Sequence, residues 1–473
     1  MPPMNELLHD LFLIILVWLL FAYWPVWEIS RQKRSPNKKR RVGRHHNKGS
    51  SEPKPFPGLT RKPDCPVCQV EVRVGIPQPP PLMVSKRGAP SSVDTSRQFC
   101  PEKKCRYYGW PGRGNIIANG HPGGGLWRQC HCKACGCYFL ETTGTVFFGK
   151  RQAIPVLLFV LAALVEGLGI RAAGRVFGLD PDTIQAWLVS AAGQLRGLAH
   201  HFLQDLDVEQ VQLDELYAPT LQLKQSEAEL LALPGDSPLW LWTAMDPVSK
   251  LLLVALVGQR SLAVAQTVVH LVKQRLVPGC LPLFTTDGLA HYQTALLTHF
   301  GHWRQPPPTP SGRTLKPRWF PLPDLLYAQL IKHRRRRRIV CIKQRLVFGN
   351  WQQLQAVLDT LGWKINTAFV ERLNLTIRQH IPALGRRVIQ RAHSATGVSH
   401  QVDLFLIYYN FCLPHTSLPL PLTTPQPTRG KGSLKQKLDC TPAMAADLTD
   451  HAWSLREVLL YRVPPWPQNV WGM

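Results

Sequence analysis

Eight of the twelve cysteines lie between Cys65 and Cys137, and this clustering constrains the fold more than any other feature of the chain. A disulfide framework in a chain of 473 residues would not be so concentrated. Thiol pairs at short spacing are instead typical of metal sites in a reducing compartment. Two such pairs supply four thiolates, the number that closes a tetrahedral structural zinc site. We therefore predict a zinc ribbon, rather than free buried thiols, with the ligands Cys100, Cys105, Cys132 and Cys135.

The other four clustered cysteines leave a second zinc site open. Cys65 and Cys68 form another short-spaced pair, and Cys130 and Cys137 flank one pair of the predicted ribbon. By count, these four thiols can hold a second ion. Crowding of two metals argues against that arrangement, so both alternatives stand at this point.

The chain is strongly basic. It carries 56 Lys and Arg against 30 Asp and Glu, which gives a formal net charge of +26 and a pI of about 9.9. An excess of this size implies a polyanionic partner, either nucleic acid or an anionic membrane. Hydrophobic residues make up 45% of the chain, which excludes an intrinsically disordered protein.

The N-terminal region contains an uncharged apolar run, residues 11–27, followed by a basic stretch, residues 31–48. The run is at the short end of what spans a bilayer, and the basic stretch would then keep the rest of the chain cytoplasmic. The alternative is an apolar helix that pairs with another copy or covers a core. The basic stretch has no apolar periodicity and suits a flexible arm that neutralises phosphates.

Residues 155–187 have the spacing of a helix-turn-helix. Gly178 stands where a tight turn needs a positive φ, and Gly174, one turn earlier, allows a second helix to approach closely. Asp180 suits the N-cap of that second helix. The alternative is an ordinary helical hairpin, but the upstream cysteines and the net charge favour DNA binding. On or near the exposed face of the second helix we expect DNA contacts from Thr183 and Gln185.

Three acidic residues occupy positions where strands and a helix would present them together. A strand over residues 208–215 delivers Asp214 to one edge of a sheet, and a strand over residues 281–286 ends at Asp287. A later helix presents Glu371 near its start. Carboxylates at adjacent strand ends can hold two hard, oxygen-liking cations a few ångströms apart. This order of elements is the one that a ribonuclease-H-like fold needs.

Four blocks of the sequence resemble a known family: LDELYAPT, TTDGLAHY, VERLNLTIRQHIPALGRR and YYNFCLPHTSL. They resemble the DDE transposases of bacterial insertion sequences, above all the insertion-sequence-one-like group. That group joins a zinc ribbon and a helix-turn-helix to a ribonuclease-H-like domain. The cysteine block resembles the front end of that group and residues 441–460 resemble its tail, so the resemblance covers residues 100–460.

The resemblance implies a role for each matching residue. Asp214, Asp287 and Glu371 would be the catalytic residues and would bind two Mg2+ or Mn2+ ions. Asn374 and Arg378 would support that site or contact DNA. The partners would be double-stranded DNA, as element ends and target, and a second copy of the chain that holds both ends together. The last elements of the domain would be closed by Tyr409, Asn410, His415 and Ser417.

Residues 334–338 are five consecutive arginines between two strand-like segments. We expect Arg334, Arg335 and Arg336 to line DNA, where each phosphate contact makes binding salt-dependent. The alternative is a solvated edge strand whose charge deters pairing between sheets.

The sequence therefore predicts a multidomain, cytoplasmic, nucleoid-associated bacterial protein, with membrane contact through residues 11–27 left open. The expected function is that of an insertion-sequence transposase, which binds element ends and catalyses metal-dependent DNA cleavage and joining. The alternatives are a DNA-binding copy without cleavage activity, a membrane-associated protein whose basic arm binds lipid, and a nuclease that only hydrolyses DNA. The expected segments are an apolar helix (1–30), a basic and Pro-rich linker with a short-spaced cysteine pair (31–96), the zinc ribbon (97–150), the helix-turn-helix (151–200), the α/β ribonuclease-H-like catalytic domain (205–420) and a C-terminal tail (421–473).

Overall fold

A computed structural model describes the chain from residue 56 to residue 465, with gaps. The predictions for the apolar run at residues 11–27 and for the basic stretch at residues 31–48 fall outside the described residues. No helix within the described part of the chain is long and apolar enough to cross a membrane. The described ranges are 56–68, 77–84, 93–150, 152–218, 239–306, 315–336, 338–385, 394–426 and 435–465.

The first strands within the described ranges form a small antiparallel sheet in the cysteine-rich region. Its strands pair in the order β1, β2, β3, so the middle strand carries two of the cysteines. A small core of its own, including Tyr107, Ile116 and Phe139, surrounds the buried thiols. The strands are β1 (Ile116–Ala118), β2 (Gln129–Cys132) and β3 (Tyr138–Leu140).

Three helices follow, and the sequence predicts the junction between the last two correctly. Gly178 ends the second helix in the left-handed region with a φ of 65°, and the Asp180 side chain caps the third helix by accepting from the Asp182 amide. Gln194, halfway along the third helix, accepts from the Val146 amide and donates to the Leu459 and Tyr461 carbonyls. The helices are α1 (Ile154–Val165), α2 (Ile170–Phe177) and α3 (Pro181–Phe202).

The close approach of α2 to the start of α3 depends on Gly174. A β-carbon at this position would lie 2.8 Å from the Leu179 carbonyl oxygen. We expect Gly174→Ala to lower the free energy of unfolding by about 1–3 kcal/mol, because backbone has to move to admit the methyl group. The matched control is Gly193→Ala in α3, where a β-carbon meets nothing within 4 Å and should stabilise the helix by up to about 1 kcal/mol. Urea unfolding of both variants measures the difference, and equal stabilities would contradict the tight junction.

A six-stranded mixed sheet forms the centre of the protein. Its first three strands, β4 (Gln210–Ala218), β5 (Leu239–Met245) and β6 (Leu252–Gln259), make an antiparallel meander. The strand β7 (Leu283–Thr286) then pairs in parallel with β4, and β10 (Tyr327–Arg335) pairs in parallel with β7. With β11 (Arg338–Phe348) antiparallel at one edge, the order is β11-β10-β7-β4-β5-β6. The helices are α4 (Leu262–Arg275), between β6 and β7, and α5 (His291–His299), after β7.

Two hairpins continue the chain. The first consists of β8 (Gly301–Arg304) and β9 (Arg318–Pro321) and lies outside the main sheet. The second consists of β10 (Tyr327–Arg335) and β11 (Arg338–Phe348). Only residues 327–329 of β10 pair with β7, so the rest of this hairpin is a two-stranded arm whose tip carries the arginine run.

The remaining elements pack the helical layer against the sheet. Asn410, within a π-helical turn, donates to the Leu252 carbonyl and accepts from its amide, both at 2.9 Å, and so ties this turn to β6. One hydrophobic core joins α1, α3, the sheet and the helices from residue 368 onward, while the helix of residues 351–361 packs in a second, smaller core with β10 and β11. The elements are α6 (Trp351–Leu361), α7 (Ala368–His380), α8 (Ala395–Ile407), the π-helical turn (Tyr408–Cys412), β12 (Leu420–Gln426), β13 (Lys435–Leu438), α9 (Pro442–Ala445) and α10 (Leu455–Leu460).

Candidate active site and metal centres

Asp214 and Asp287 are neighbours because of the parallel pairing of β4 with β7. Leu213 pairs with Thr286 in this ladder; Asp214 is the next residue of β4, and Asp287 directly follows the end of β7. Both aspartates are half-buried. The Asp287 carboxylate also accepts from the Leu289 amide at 2.9 Å, which orients it at the end of β7.

The buried Gln212 on β4 positions helix α7, which carries Glu371. Gln212 donates to the Asn366 carbonyl at 3.0 Å and accepts from the Val370 amide at 3.1 Å, so it holds the first turn of α7. Because side chains on a strand alternate, Gln212 and Asp214 lie on the same face of β4. Sequence reasoning missed Gln212, although a polar residue within a buried strand is a signal that it has fixed partners.

Asn374 connects α7 directly to the acidic residues. Its side-chain amide donates to Asp214 Oδ2 at 2.8 Å. The Asn374 side chain is buried, and its Oδ1 has no hydrogen-bond partner among the described residues. Asn374 therefore presents a buried oxygen acceptor without a described partner on the side chain that contacts Asp214. The prediction that Asn374 contacts DNA stays a prediction.

The surroundings of Asp214 raise its proton affinity. Burial raises the pKa of Asp214 to about 7, and the negative charges of Glu215, Asp287 and Glu371 add to this effect. Like charges held close together in a partly dry site favour the neutral form of one of them. A bound cation would oppose this effect by stabilising the ionised carboxylates.

Glu215 lies on the opposite face of β4, as the alternation of the strand predicts. Its buried carboxylate forms an ion pair with Arg260 at 3.0 Å. The buried Tyr292 of α5 lies close by, and burial together with the charge of Glu215 raises the pKa of Tyr292 well above its ordinary value. This arrangement supports a structural role for Glu215 on the face of β4 opposite Asp214.

Glu371 is held by partners that sequence reasoning missed. Its exposed carboxylate pairs with the Lys332 ammonium on β10 and accepts from Thr367 Oγ1 at 2.8 Å. Within the described ranges, two groups of side chains have ligand atoms that all lie within 4.8 Å of one another; one consists of four cysteines and the other of two cysteines and two histidines. The carboxylates of Asp214, Asp287 and Glu371 do not form such a group among the described residues, and Glu371 is paired with Lys332 instead.

The four predicted ribbon cysteines converge. Their sulfur atoms all lie within 4.8 Å of one another, and Cys100 Sγ is 3.5 Å from Cys135 Sγ. Tetrahedral zinc with Zn–S bonds of about 2.3 Å requires sulfur atoms about 3.8 Å apart, so the thiols stand close to the required geometry. The Asn115 amide donates to Cys132 Sγ at 3.4 Å, a contact that favours the thiolate. The ribbon cysteines can therefore bind a structural metal such as zinc.

The other short-spaced pair has partners that differ from the alternative considered from the sequence. Cys65 and Cys68 lie beside His270 of α4 and His299 of α5, with one ligand atom from each within 4.8 Å of the others. The grouping of this pair with Cys130 and Cys137 is therefore wrong. The physical reason is that residues 56–68 pack on the β8–β9 hairpin, where Leu59 pairs with Trp319, and this packing separates Cys65 and Cys68 from Cys130 and Cys137.

The residues expected to contact DNA lie on three elements: α3, the β10–β11 arm and α7. Near the start of α3, Thr183 is half-buried and Gln185 is exposed, as predicted. At the tip of the β10–β11 arm, Arg335 and Arg336 are exposed, while the Arg334 side chain lies outside the described part of the structure. Arg378 is half-buried on α7. Their contacts with DNA stay predictions.

Comparison with known proteins adds no assignment. No family model and no curated protein matches this sequence. The function is therefore argued from the chemistry and positions of the residues described above.

Proposed function

We propose that this chain is a DDE-type transposase that binds the ends of its own element and catalyses metal-dependent DNA strand cleavage and joining. The observation that supports this most strongly is the register of β4 and β7, which places Asp214 beside Asp287. The strand order, a three-stranded meander followed by parallel strands, also fits a ribonuclease-H-like fold. Glu371 would complete the acidic triad from α7.

The residues of the site fit Mg2+ or Mn2+. Asp214, Asp287 and Glu371 offer only oxygen ligands, and the unpartnered Asn374 Oδ1 adds a neutral one. When bound, two such ions would activate a water or a 3′-hydroxyl and stabilise the leaving oxygen of an in-line phosphoryl transfer.

The protein's own groups would hold and orient the acids. Asn374 fixes the rotamer of Asp214 through its hydrogen bond, and Gln212 fixes the first turn of α7. Lys332 pairs with Glu371 in the structure and would release it when a divalent cation competes for the carboxylate. A released ammonium next to the acids would then be free to contact a DNA phosphate.

DNA recognition would fall to surfaces outside the acidic site. The exposed start of α3, with Thr183 and Gln185, suits a helix that reads base edges. The arm with Arg335 and Arg336 suits phosphate contacts, in keeping with the net charge of +26. Because both ends of an element have to be held together, the active form would be a homo-oligomer.

The test is strand transfer by the purified full chain on DNA carrying the flanks of its own gene, with Mg2+. We expect joined product from the wild type and from Asp324→Ala, an exposed aspartate in the turn before β10. We expect no joined product from Asp287→Ala, because a metal-binding carboxylate has been removed.

Each other outcome selects a different function. Equal activity of Asp287→Ala and the wild type would refute the proposed triad. Cleavage without joining would indicate a nuclease. If the wild type and the variants all bind DNA in a salt-sensitive way and none of them cleaves it, the alternative of a DNA-binding copy without cleavage activity would be favoured.

A further inference from the structure

We propose that Cys65, Cys68, His270 and His299 bind a second structural zinc ion, which fastens the segment at residues 56–68 to helices α4 and α5. One ligand atom from each residue lies within 4.8 Å of the other three. Two thiolates and two neutral imidazoles are one of the common ligand sets of closed tetrahedral zinc sites. The proposal depends only on this cluster and is independent of the activity of the acidic site.

The distances within the cluster agree with tetrahedral coordination. Cys68 Sγ lies 3.4 Å from His270 Nδ1. Zinc bonds of about 2.3 Å to sulfur and 2.0 Å to nitrogen at a tetrahedral angle place such atoms about 3.5 Å apart. The centroids of the two histidine rings are 5.3 Å apart, so both imidazoles approach the same region.

Three of the four ligands are buried and Cys68 is exposed, so most of the cluster is shielded from water. His299 is only 7% exposed, and its Nε2 has no hydrogen-bond partner among the described residues. Cys65 is 4% exposed. A buried ring nitrogen without a partner costs free energy, which a metal–ligand bond on this ring would offset.

The segment that carries the cysteines is held on the same side of the protein by independent contacts. The Phe56 ring packs edge-on against Phe320 and Phe348. The Arg318 guanidinium donates to the Pro57 carbonyl at 2.9 Å. A β-carbon on Gly58 would lie 2.6 Å from the Phe320 ring, so this residue has to be glycine. These contacts fix the segment that carries the cysteine pair, and the pair lies beside the two histidines.

The zinc would add a cross-link between distant parts of the sequence. His299 is the last residue of α5, and α5 begins four residues after Asp287. Fixing the end of α5 restricts the helix that follows the β7 strand end. The ion would therefore stabilise the frame around the acidic site without contacting it.

The first measurement determines the zinc content and the X-ray absorption spectrum of the full-length wild-type protein. This test does not depend on whether a variant folds. We expect two zinc ions per chain, with an average ligand set of three sulfur atoms to one nitrogen, from one all-cysteine site and one mixed site. A single zinc per chain with sulfur ligands alone would overturn the proposal.

The second measurement uses variants of the full chain. The double variant Cys65→Ser/Cys68→Ser should lose one zinc and all nitrogen ligation while keeping the sulfur-only site, and His299→Gln should show the same loss. The control Cys341→Ser, an exposed cysteine on β11, should keep both ions. A Cys65→Ser/Cys68→Ser protein that retains two zinc ions with nitrogen ligands would contradict the assignment, since a thiol–imidazole hydrogen bond would then explain the 3.4 Å contact.

Discussion

The Asp214→Asn protein is expected to lose strand transfer by about 1,000-fold or more while becoming more stable than the wild type at neutral and alkaline pH. The loss follows from removing a negatively charged metal ligand from a set of residues that acts as a unit. The gain follows from removing a half-buried carboxylate whose ionised form is disfavoured by burial and by the negative charges of Glu215 and Asp287. A substitution that lowers activity and raises stability is typical of a functional residue that the fold does not need.

The pH dependence of the gain follows from the pKa of Asp214, which rises from an ordinary value of 3.8 to about 7 on folding. A raised carboxyl pKa means that the folded state binds the proton more tightly than the unfolded state does. The corresponding stability is complete below pH 3.8 and is lost as the pH rises to about 7. The substituted asparagine side chain does not titrate, so the variant should gain on the order of a few kcal/mol above about pH 7 and little near pH 4.

Thermal unfolding from pH 4 to 8 without added Mg2+, beside strand-transfer assays with Mg2+, measures both effects. Asp324→Asn is the control, because this exposed aspartate lies before β10 and away from the acids. If Asp214→Asn loses activity and stability together, the residue is structural. If it retains activity, the proposed triad is wrong.

The Cys132→Ala protein is expected to lose the fold of the zinc ribbon, while the six-stranded sheet stays folded. Cys132 is fully buried among the ribbon thiols. The ribbon strands have only three or four residues each, too few to bury a self-sufficient core. Structural zinc contributes about 10–16 kcal/mol in small domains, so the ribbon should unfold without it.

Limited trypsin digestion followed by mass spectrometry measures this change. New cleavage should appear after Lys103, Lys104 and Arg106 in Cys132→Ala, together with the loss of one zinc per chain. Cys341→Ala, which removes an exposed cysteine, should match the wild type. Unchanged protection of the three sites in Cys132→Ala would show that packing, including the Arg462 contacts with the ribbon, holds it without metal.

Local signals allowed several parts of this fold to be predicted from the sequence. The turn at Gly178 and the cap at Asp180 depend on the conformational preferences of single residues, and both are confirmed. The side-by-side placement of Asp214 and Asp287 depends on one further rule, that parallel strands deliver their ends to the same edge of a sheet.

The parts that escaped prediction involve partners far apart in the sequence. His270 and His299 lie on helices about 200 residues after the cysteine pair they face, and nothing in their spacing indicates a metal site. The pairing of Lys332 with Glu371 likewise depends on the register of β10, which no local pattern specifies. Gln212 carries a weak signal as a polar residue in a buried strand, but its partners on α7 appear only in three dimensions.

Helix α3 has a mechanical consequence for the proposed activity. Its 22 residues form a rod about 33 Å long, from the turn at Gly178 to the core that covers the sheet. Near the middle of this helix, Gln194 forms hydrogen bonds with the backbone of Val146 and of Leu459, which restrict bending there. If DNA binds at the start of α3 as proposed, such a rod would fix the rotational angle between the DNA end and the acidic residues at the sheet. Each residue inserted into it would turn one relative to the other by about 100°, so the length of α3 is itself part of the geometry that would align DNA with the acids.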